Sequence, residues 1–195
     1  MLETAQTFER EFRPWPKIAR FNRDIIVTEK IDGTNGCIVV TPDDIYAQSR
    51  SRVLSLKEDN HSFAHWVHEH ADELREQLGE GRHYGEWWGG NIGKRYRGVI
   101  EDQRFSLFNV DRWHVTEGDG WRCIEAPLCH VVPTIFRLGT FDSDRVLEAV
   151  EYLRQGGSIA APGCEAEGLV VFHPKANVMF KVTLERDDEW KGKAA

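Results

Sequence analysis

A polar, glycine-containing stretch between two short β-branched runs most constrains how this chain can fold. Residues 25–27 are Ile-Ile-Val, residues 37–40 are Cys-Ile-Val-Val, and residues 29–36 between them are Glu-Lys-Ile-Asp-Gly-Thr-Asn-Gly. Short β-branched runs predict strands, and the glycines with asparagine predict a turn. Lys30 therefore lies where a strand ends and a turn begins. A lysine there is either a covalent nucleophile, provided that it loses its proton, or a surface lysine beside a hairpin.

The other predicted elements are mostly strands, with a helix inserted twice. Alternating or β-branched segments indicate strands, apolar residues at spacings of three and four indicate helices, and glycine-rich segments indicate turns. This order is not a regular βαβ alternation, so it predicts an α+β fold of antiparallel sheets with flanking helices. The predicted strands are 45–49, 82–88, 104–113, 121–124, 168–172 and 178–184, a turn is predicted at 117–120, and the predicted helices are 58–78 and 143–155.

Each predicted helix carries one apolar face. Asp142 or Ser143 is expected to cap the start of the second helix. Residues 1–23 are expected to be an irregular opening segment from which Trp15 or Phe21 packs onto the domain, and the tail from Glu185 is expected to fray. The first face comprises Phe63, Trp66, Val67, His70, Leu74 and Leu78, and the second comprises Val146, Leu147, Val150 and Leu153.

The length of 195 residues is enough for one domain with a substantial core, so residues 1–195 are expected to form a single domain. No apolar run is long enough to span a bilayer, and the first twenty residues are too mixed in character for a signal peptide. The expected compartment is therefore the cytoplasm, with no membrane partner.

Charge and metal-binding residue types exclude some function classes. The net charge of −7 argues against a protein that coats nucleic acid by bulk charge, although a local basic groove is compatible with it. The four cysteines form no C-x-x-C pair, so reduced, buried thiols are expected. His65 and His68 could bind a metal from one helix turn, but a polar helix face is favoured because metal-ligand geometry is demanding.

Five separated segments each place charged, aromatic or glycine residues at the end or inner face of a predicted strand. Each is weak alone, but five in order are specific. They resemble the motifs of the covalent nucleotidyltransferases, the superfamily of polynucleotide ligases and mRNA capping enzymes. In chain order they are 30–33 (Lys-Ile-Asp-Gly), 48–52 (Gln-Ser-Arg-Ser-Arg), 84–87 (Tyr-Gly-Glu-Trp), 105–110 (Phe-Ser-Leu-Phe-Asn-Val) and 167–170 (Glu-Gly-Leu-Val), the last followed by 180–182 (Phe-Lys-Val).

The closest resemblance is to the RNA ligase 2-like family of ATP-dependent RNA ligases, and it covers about residues 24–184. Thr34 and Asn35 extend the nucleophile motif as in that family, and Arg50 matches the arginine expected after it. The resemblance implies a nucleotidyltransferase domain that uses ATP with Mg²⁺ or Mn²⁺. It implies RNA ends, a 5′-phosphate and a 3′-hydroxyl, as partners, with no obligate protein partner.

The reaction implied by the resemblance has three steps. Lys30 attacks the α-phosphorus of ATP, releases pyrophosphate and carries AMP as a phosphoramidate. The AMP then passes to the 5′-phosphate of an RNA end, and a 3′-hydroxyl attacks that activated end as AMP leaves. Lys181 is the implied second cation, which favours the neutral form of Lys30 by like-charge repulsion and clamps the α-phosphate.

The resemblance also assigns residues to the nucleotide and the metal. Phe108 is implied to stack on adenine, unless it belongs to the core with Phe105. Glu29 would present backbone groups, and its side chain, to the adenine edge. Glu86 would bind the ribose hydroxyls or a hydrated metal, and Glu167 would hold the divalent ion through water.

Several basic residues are candidates for binding phosphate. Asn35 and Arg50 match family residues near the reactive phosphates, with Arg50 acting mainly on the RNA end and Arg52 as a competing candidate. A glycine-rich loop is predicted at residues 89–93. The basic group that follows it is either a local patch for RNA or a plain solvated loop. That group is Lys94, Arg95 and Arg97.

Three positions depart from the closest family. Asp32 replaces a histidine and gives the K-x-D-G form common in DNA ligases and other RNA ligases, and it is counted in the implied catalytic set. Asn109 stands where an aspartate often follows the stacking phenylalanine. Thr183 stands where a second lysine is usual, unless the register is shifted by two and Met179 takes the earlier place. Relatives carry a further C-terminal OB-fold or helical domain, which is not expected here.

Two other functions stay open. One is a different nucleotidyltransferase, either a DNA ligase or a GTP-using capping-type enzyme. The other is a non-catalytic module that binds nucleotides or RNA ends with the same fold, and it predicts binding without a covalent adduct. Lys30, Glu86, Glu167 and Lys181 argue against this second alternative.

Overall fold

The computed structural model describes residues 12–113 and 128–185. Within them the chain alternates short strands with three helices. The elements are β1 (Ile25–Lys30), β2 (Gly33–Val40), β3 (Ile45–Ser49), α1 (Phe63–Glu69), α2 (Ala71–Leu78), β4 (Gly81–Gly89), β5 (Gln103–Leu107), β6 (Cys129–Val131), β7 (Thr134–Leu138), α3 (Ser143–Gly156), β8 (Gly168–His173) and β9 (Val178–Thr183).

The strands form two sheets. The first sheet has the order β7-β1-β8-β9, and the second sheet has the order β3-β2-β4-β5-β6. Every pair of neighbours is antiparallel except β5 and β6, which are parallel. The predicted α+β class with antiparallel sheets is therefore confirmed, with one parallel pair that the sequence did not indicate.

Three apolar clusters show how the layers stack. In the first, Phe63 and Leu74 of α1 and α2 pack with Trp87 and Phe105 of the second sheet. In the second, Ala149 and Leu153 of α3 pack with Val27 and Leu169 of the first sheet. A third cluster lies between the sheets and includes Ile26, Trp88 and Tyr96. Helices therefore cover the outer face of each sheet, and the inner faces look toward each other.

The predicted helix 58–78 is wrong at its start and is broken in the middle. Residues 58–62 form a loop in which the Asp59 carboxylate accepts hydrogen bonds from the backbone of Ala64 and His65, at 2.8 and 3.1 Å. His70 separates α1 from α2 with φ −108° and ψ 24°. Its Nδ1 lies 2.9 Å from the carbonyl oxygen of Trp66. A side chain that bonds to the helical backbone in this way is one cause of a kink.

The predicted strand 104–113 ends earlier than expected. β5 ends at Leu107, and the next residues turn, with the Val110 amide bonded to the Phe108 carbonyl at 2.9 Å. The Asn109 side chain accepts a hydrogen bond from the Arg112 amide at 3.2 Å. Such a local side-chain bond competes with strand pairing. The predicted turn 117–120 and strand 121–124 lie outside the described residues.

β6 and β7 were missed, whereas α3 and the last two strands are confirmed. Asp142 caps α3 by accepting from the amides of Asp144 and Arg145, at 2.9 and 3.3 Å. The predicted apolar face of α3 is wrong at Leu147, which is 64% exposed. Ala149 is buried instead, because positions 146, 149, 150 and 153 share one helix face and position 147 lies beside it.

The cysteines and His65 were also the subject of predictions. Cys37, Cys129 and Cys164 are buried free thiols, as predicted, and Cys123 lies outside the described residues. His65 bonds to Asp59 at 2.7 Å through Nδ1. Among the described helices, none is long and apolar enough to cross a membrane.

Gly85 offers a test of the close packing between strands of the second sheet. A Cβ atom at this position would lie 2.4 Å from the Ser106 carbonyl oxygen and 2.6 Å from the Phe105 ring. We expect Gly85→Ala to lower the free energy of unfolding by about 1–3 kcal/mol, the usual cost of overpacking. Urea denaturation measures this change.

Gly139→Ala is the matched control for Gly85→Ala. A Cβ atom at Gly139 would meet nothing within 4 Å, so this variant should change the free energy of unfolding by less than about 0.5 kcal/mol. Equal stability losses in the two variants would contradict the packing described for Gly85.

Candidate active site

Lys30 is the last residue of β1, one of the two inner strands of the first sheet. Its β8 partner is Gly168. Ile26 lies four residues earlier in the cluster between the sheets, and residues two apart on a strand share a face. The side chain of Lys30 is therefore on the inner face, between the two sheets.

An ion pair joins Lys30 to Glu167. The Lys30 Nζ and the Glu167 Oε2 are 2.5 Å apart, and the two side chains are 24% and 22% exposed. The adjoining residue Gly168 has no room for a side chain, because a Cβ atom would lie 2.0 Å from the Val182 carbonyl oxygen. Two segments that are 137 residues apart in the sequence thus meet at one contact, and the roles expected of Lys30 and Glu167 stay predictions.

Glu86 adds a buried carboxylate to this pair. It lies on β4 opposite Asn35 of β2, and the Asn35 Nδ2 donates to its Oε2 at 3.4 Å. The pKa of Glu86 is raised to about 7, mainly by burial and also by the negative charges of Glu167 and Asp32, although Lys30 and the Gly33 amide oppose the rise. Glu86 therefore lies within electrostatic range of Lys30 and of two other carboxylates.

Asp32 holds the glycine-rich loop that follows β4. Its Oδ2 accepts hydrogen bonds from the backbone amides of Lys94 and Arg95, at 3.0 and 3.2 Å. Its own amide donates to the Tyr96 hydroxyl at 3.2 Å. At Gly93, with φ +69°, a Cβ atom would lie 2.8 Å from the carboxylate. The structure gives Asp32 a positioning role in the free protein, and its catalytic role stays a prediction.

The basic group after this loop is only partly available to a ligand. The Arg95 guanidinium lies 3.5 Å from Glu165 and 3.2 Å from Glu185, and its side chain is 14% exposed. Arg97 donates to the Asn91 carbonyl at 3.4 Å. Lys94 is exposed. The sequence does not reveal that Arg95 links the loop to the segments beside β8 and β9.

Glu29 points away from Lys30 because neighbouring residues on a strand face opposite sides. It is 1% exposed. Its Oε1 accepts from the Ser158 hydroxyl at 2.5 Å, and its Oε2 accepts from the amides of Ile159 and Ala160 at 2.9 and 2.8 Å. Burial raises the pKa of Glu29, and these hydrogen bonds oppose the rise.

Both carboxylate oxygens of Glu29 are thus bound by the loop after α3, which the sequence did not indicate. The Glu29 side chain is therefore already hydrogen-bonded in this structure and is not positioned for the expected contact with adenine. Contact through the backbone of Glu29 stays a prediction.

Phe105 and Phe108 have separate environments. Phe105 is 0% exposed and its ring centroid is 5.2 Å from that of Phe63, in the core beneath α1. Phe108 follows the end of β5 and is only partly buried against the cluster between the sheets. This difference favours Phe108 over Phe105 as the aromatic that can contact a ligand.

Arg50 and Arg52 also differ. Arg52 donates to the carbonyl oxygens of Glu58 and Asp59, at 2.6 and 3.2 Å. Arg50 is exposed and follows Ser49, which pairs with Gly36 beside Asn35. Arg50 therefore continues the row that contains Asn35 and Glu86, while Arg52 supports the loop before α1.

The strand register places Lys181 and Thr183 relative to Lys30. Gly168 pairs with both Lys30 and Thr183, so these three residues form one row, while Lys181 pairs with Val170 one step along the same face. Strand spacings put the Lys30 and Lys181 Cα atoms about 12 Å apart. That separation suits two long side chains that meet at a bound anion. Met179 lies one further step away.

The carboxylates fit a divalent ion that also takes ligands from a substrate. Among the described residues, no three His, Cys, Asp or Glu side chains are grouped closely enough to hold a metal alone. Mg²⁺ binds through one or two carboxylates together with phosphates and water. Glu86 and Glu167 stay the predicted ligands, and a cation would relieve the repulsion that contributes to the raised pKa of Glu86.

The raised pKa of Glu86 predicts a pH-dependent stability. Because the pKa rises from 4.5 to about 7 on folding, the folded state holds a proton that the unfolded chain releases. The free energy of unfolding therefore falls as pH rises through that window. We expect Glu86→Gln to remove this fall and to be more stable than the parent by about 2–3 kcal/mol at pH 8.

Urea denaturation at several pH values between 4 and 8 measures this difference. Glu148→Gln is the control, because its side chain is 62% exposed on α3 and it should leave the pH dependence unchanged. A Glu86→Gln protein that follows the parent curve would contradict the burial and repulsion described for Glu86.

Comparisons with known proteins agree with this fold. One solved mutant form of Naegleria gruberi RNA ligase, without ligand, has a TM-score of 0.54 at 18% identity over 84% of this chain. A second mutant form, with ATP and Mn, has a TM-score of 0.54 at 19% identity over 85% of this chain. A third mutant form, with AMP and Mn, has a TM-score of 0.55 at 18% identity over 84% of this chain. The chain spans about half the length of these proteins, 50% to 52%.

The family is decided by a comparison of the sequence itself. A search of curated protein sequences finds no match. A family model described as RNA ligase matches residues 23–183, which include both β1 and β9. Since that match covers most of the chain, the protein belongs to the RNA ligase family.

Proposed function

We propose that this chain is the nucleotidyl-transferring unit of an ATP-dependent RNA ligase, with Lys30 as the nucleophile. The observation that carries the proposal is the Lys30–Glu167 ion pair, at 2.5 Å, beside the buried Glu86 carboxylate. Membership in the RNA ligase family and the likeness of the fold to a ligase solved with ATP and Mn support it. ATP, a divalent ion and RNA ends are accordingly the proposed ligands, and the cytoplasm remains the expected compartment.

In the first step the Lys30 Nζ attacks the α-phosphorus of ATP. The new N–P bond forms as the bond from that phosphorus to the bridging oxygen breaks, and pyrophosphate leaves. The ammonium must first lose a proton to water, and this loss releases Glu167, the carboxylate in hydrogen-bond contact with it. When bound, a divalent ion supplies positive charge to the phosphate oxygens. Glu86 and Glu167 are the residues that would hold it.

The other motif residues surround this reaction. Lys181 lies on the same face as Lys30 and binds the phosphate between them. Asn35 is already bonded to Glu86 and orients that carboxylate. Phe108, at the rim of the cluster between the sheets, stacks on the adenine. The backbone at Glu29 completes the adenine site.

The second and third steps use RNA. A 5′-phosphate oxygen attacks the phosphorus of the Lys30 adduct and the N–P bond breaks, which gives an adenylated RNA end. A 3′-hydroxyl then attacks the 5′-phosphorus, and AMP leaves. Arg50 binds the 5′-phosphate in these steps, because its guanidinium is exposed at the end of β3 next to the Asn35–Glu86 row.

The intact mass of the protein tests the first step. After incubation with ATP and Mg²⁺ or Mn²⁺, we expect the parent to gain the mass of one AMP and to lose it when pyrophosphate is added. Lys30→Ala should gain nothing. Lys175→Ala, which removes an exposed lysine between β8 and β9, should behave as the parent.

Other nucleotides and substrates separate the alternatives. A GMP adduct in place of AMP would favour a capping-type enzyme, and sealing of DNA ends but not RNA ends would favour a DNA ligase. No adduct with any nucleotide, together with measurable binding of ATP or RNA, would favour a non-catalytic module and would refute Lys30 as a nucleophile.

Arg50 and Arg52 give a second test because their surroundings differ. We expect Arg50→Ala to form the AMP adduct normally and to lose at least tenfold in the rate of RNA adenylation, since one charge-assisted phosphate contact is removed. Arg52→Ala should instead lower stability by about 1–2 kcal/mol, because the carbonyls of Glu58 and Asp59 lose their donors. Gel assays of single-turnover AMP transfer and urea denaturation measure the two effects. The reverse pattern would assign the phosphate contact to Arg52.

A further inference from the structure

We propose that residues 12–23 form an arm that binds a single strand of RNA leading to the Lys30 site. This inference rests on the proposed function, because it takes the RNA end joined at Lys30 as the ligand. The arm is the segment Phe-Arg-Pro-Trp-Pro-Lys-Ile-Ala-Arg-Phe-Asn-Arg. It forms neither a helix nor a strand before β1.

The arm exposes large apolar side chains that globular proteins usually bury. Phe12, Trp15 and Ile18 are 87%, 86% and 91% exposed. Trp15 therefore does not pack onto the domain, which was one of the two options expected for this segment. Pro14 and Pro16 hold the backbone extended around Trp15. An exposed aromatic face on an extended segment is suited to stacking on an unpaired base.

The arm is also basic in an otherwise acidic chain. Residues 12–23 contain three arginines and one lysine and no acidic residue, whereas the whole chain carries a net charge of −7. Cations and aromatics alternate along the arm, as phosphates and bases do along a single strand of RNA. The cations can therefore contact phosphates while the aromatics stack on bases. A purely apolar partner would gain nothing from Lys17 and Arg20, which are both exposed.

Basic residues elsewhere in the described part of the chain are often used internally. Arg95 pairs with Glu165 and Glu185, and Arg52 donates to backbone carbonyls. Arg112 donates to the Leu78 carbonyl at 2.9 Å, and Arg137 pairs with Asp111 at 2.5 Å. Lys17 and Arg20, which are exposed on the arm, are thus better placed to neutralise phosphate than these four.

The root of the arm is fixed to the domain. The Phe21 ring centroid lies 4.3 Å from that of Phe141, and the Phe21 carbonyl oxygen is 2.7 Å from the His173 Nε2. β1 then runs from Ile25 to Lys30, a distance of about 17 Å at ~3.3 Å per residue. That length corresponds to about five stacked bases at ~3.4 Å each. An RNA strand whose end lies at Lys30 can therefore reach the arm.

Binding of a single-stranded RNA of about twelve nucleotides, with a 5′-phosphate and a fluorescent 3′ label, tests the arm. We expect Trp15→Ala to weaken binding about 5- to 150-fold, as loss of one stacking aromatic does. We expect Lys17→Ala/Arg20→Ala to lower the slope of log K against log salt by about 1.4, from ~0.7 for each lost cation on a single strand. Fluorescence anisotropy at several salt concentrations measures both.

Matched controls lie elsewhere on the surface. Tyr152→Ala removes an aromatic that is 59% exposed on α3, and Arg154→Ala/Lys175→Ala removes one arginine and one lysine that are both exposed. These variants should bind RNA as the parent does. All variants should form the AMP adduct at the parent rate, because that step needs no RNA.

The two proposals fail in different ways. RNA affinity and salt slope unchanged in both arm variants would overturn the arm, whether or not the adduct forms. A change in sedimentation coefficient in Trp15→Ala, with RNA binding unchanged, would also overturn it and assign the aromatic to protein association. Weaker RNA binding by the arm variants in a protein that forms no AMP adduct would support the arm and overturn the proposed ligase step.

Discussion

The ion pair between Lys30 and Glu167 is the contact on which the geometry of the site depends. Its two side chains are 24% and 22% exposed, so solvent screens the attraction and the pair adds little to the stability of the fold. Its effect is on position. It joins the end of β1 to the start of β8, and Gly168 lets β9 approach closely on the other side. Lys30, the carboxylate beside it and the strand of Lys181 are thereby held next to each other.

Two carboxylates of the site, Asp32 and Glu86, have different functions. Asp32 is satisfied by two backbone amides of the loop after β4, so its charge is used to hold the loop. For Glu86, the Lys30 charge and the Gly33 amide do not offset the cost of burial, so its pKa is raised. Above neutral pH the folded protein therefore contains an unfavourable buried charge. An unfavourable buried charge of this kind is expected in a ligand-binding site rather than in a structural core. The buried charge at Glu86 suits a site that receives a cation together with phosphates.

Strand ends and motif residues could be predicted from the sequence because both depend on local patterns. Lys30, Glu86 and Glu167 were identified because their short segments occur in the order of the family's motifs, and the structure brings them together. The break at His70, the support of Glu29 by Ser158 and the use of Arg95 as a link could not be predicted. Each depends on a hydrogen bond or ion pair whose partner is set by the folded chain, and a single sequence carries no local sign of it. The row shared by Lys30 and Thr183 likewise required the strand register.

The position of Lys30 does not depend on the ion pair alone. A nucleophile must leave its acid partner when it attacks, so a lysine held only by its side chain would lose its place during the reaction. β1 pairs with β7 and β8 on its two sides, and Glu29 fixes the same strand to the loop after α3 through three hydrogen bonds on the opposite face. The Lys30 backbone is therefore held by contacts that the proposed reaction would leave intact. Because adjacent residues of a strand face opposite sides, Glu29 supports the strand from one face while Lys30, the proposed nucleophile, lies on the other.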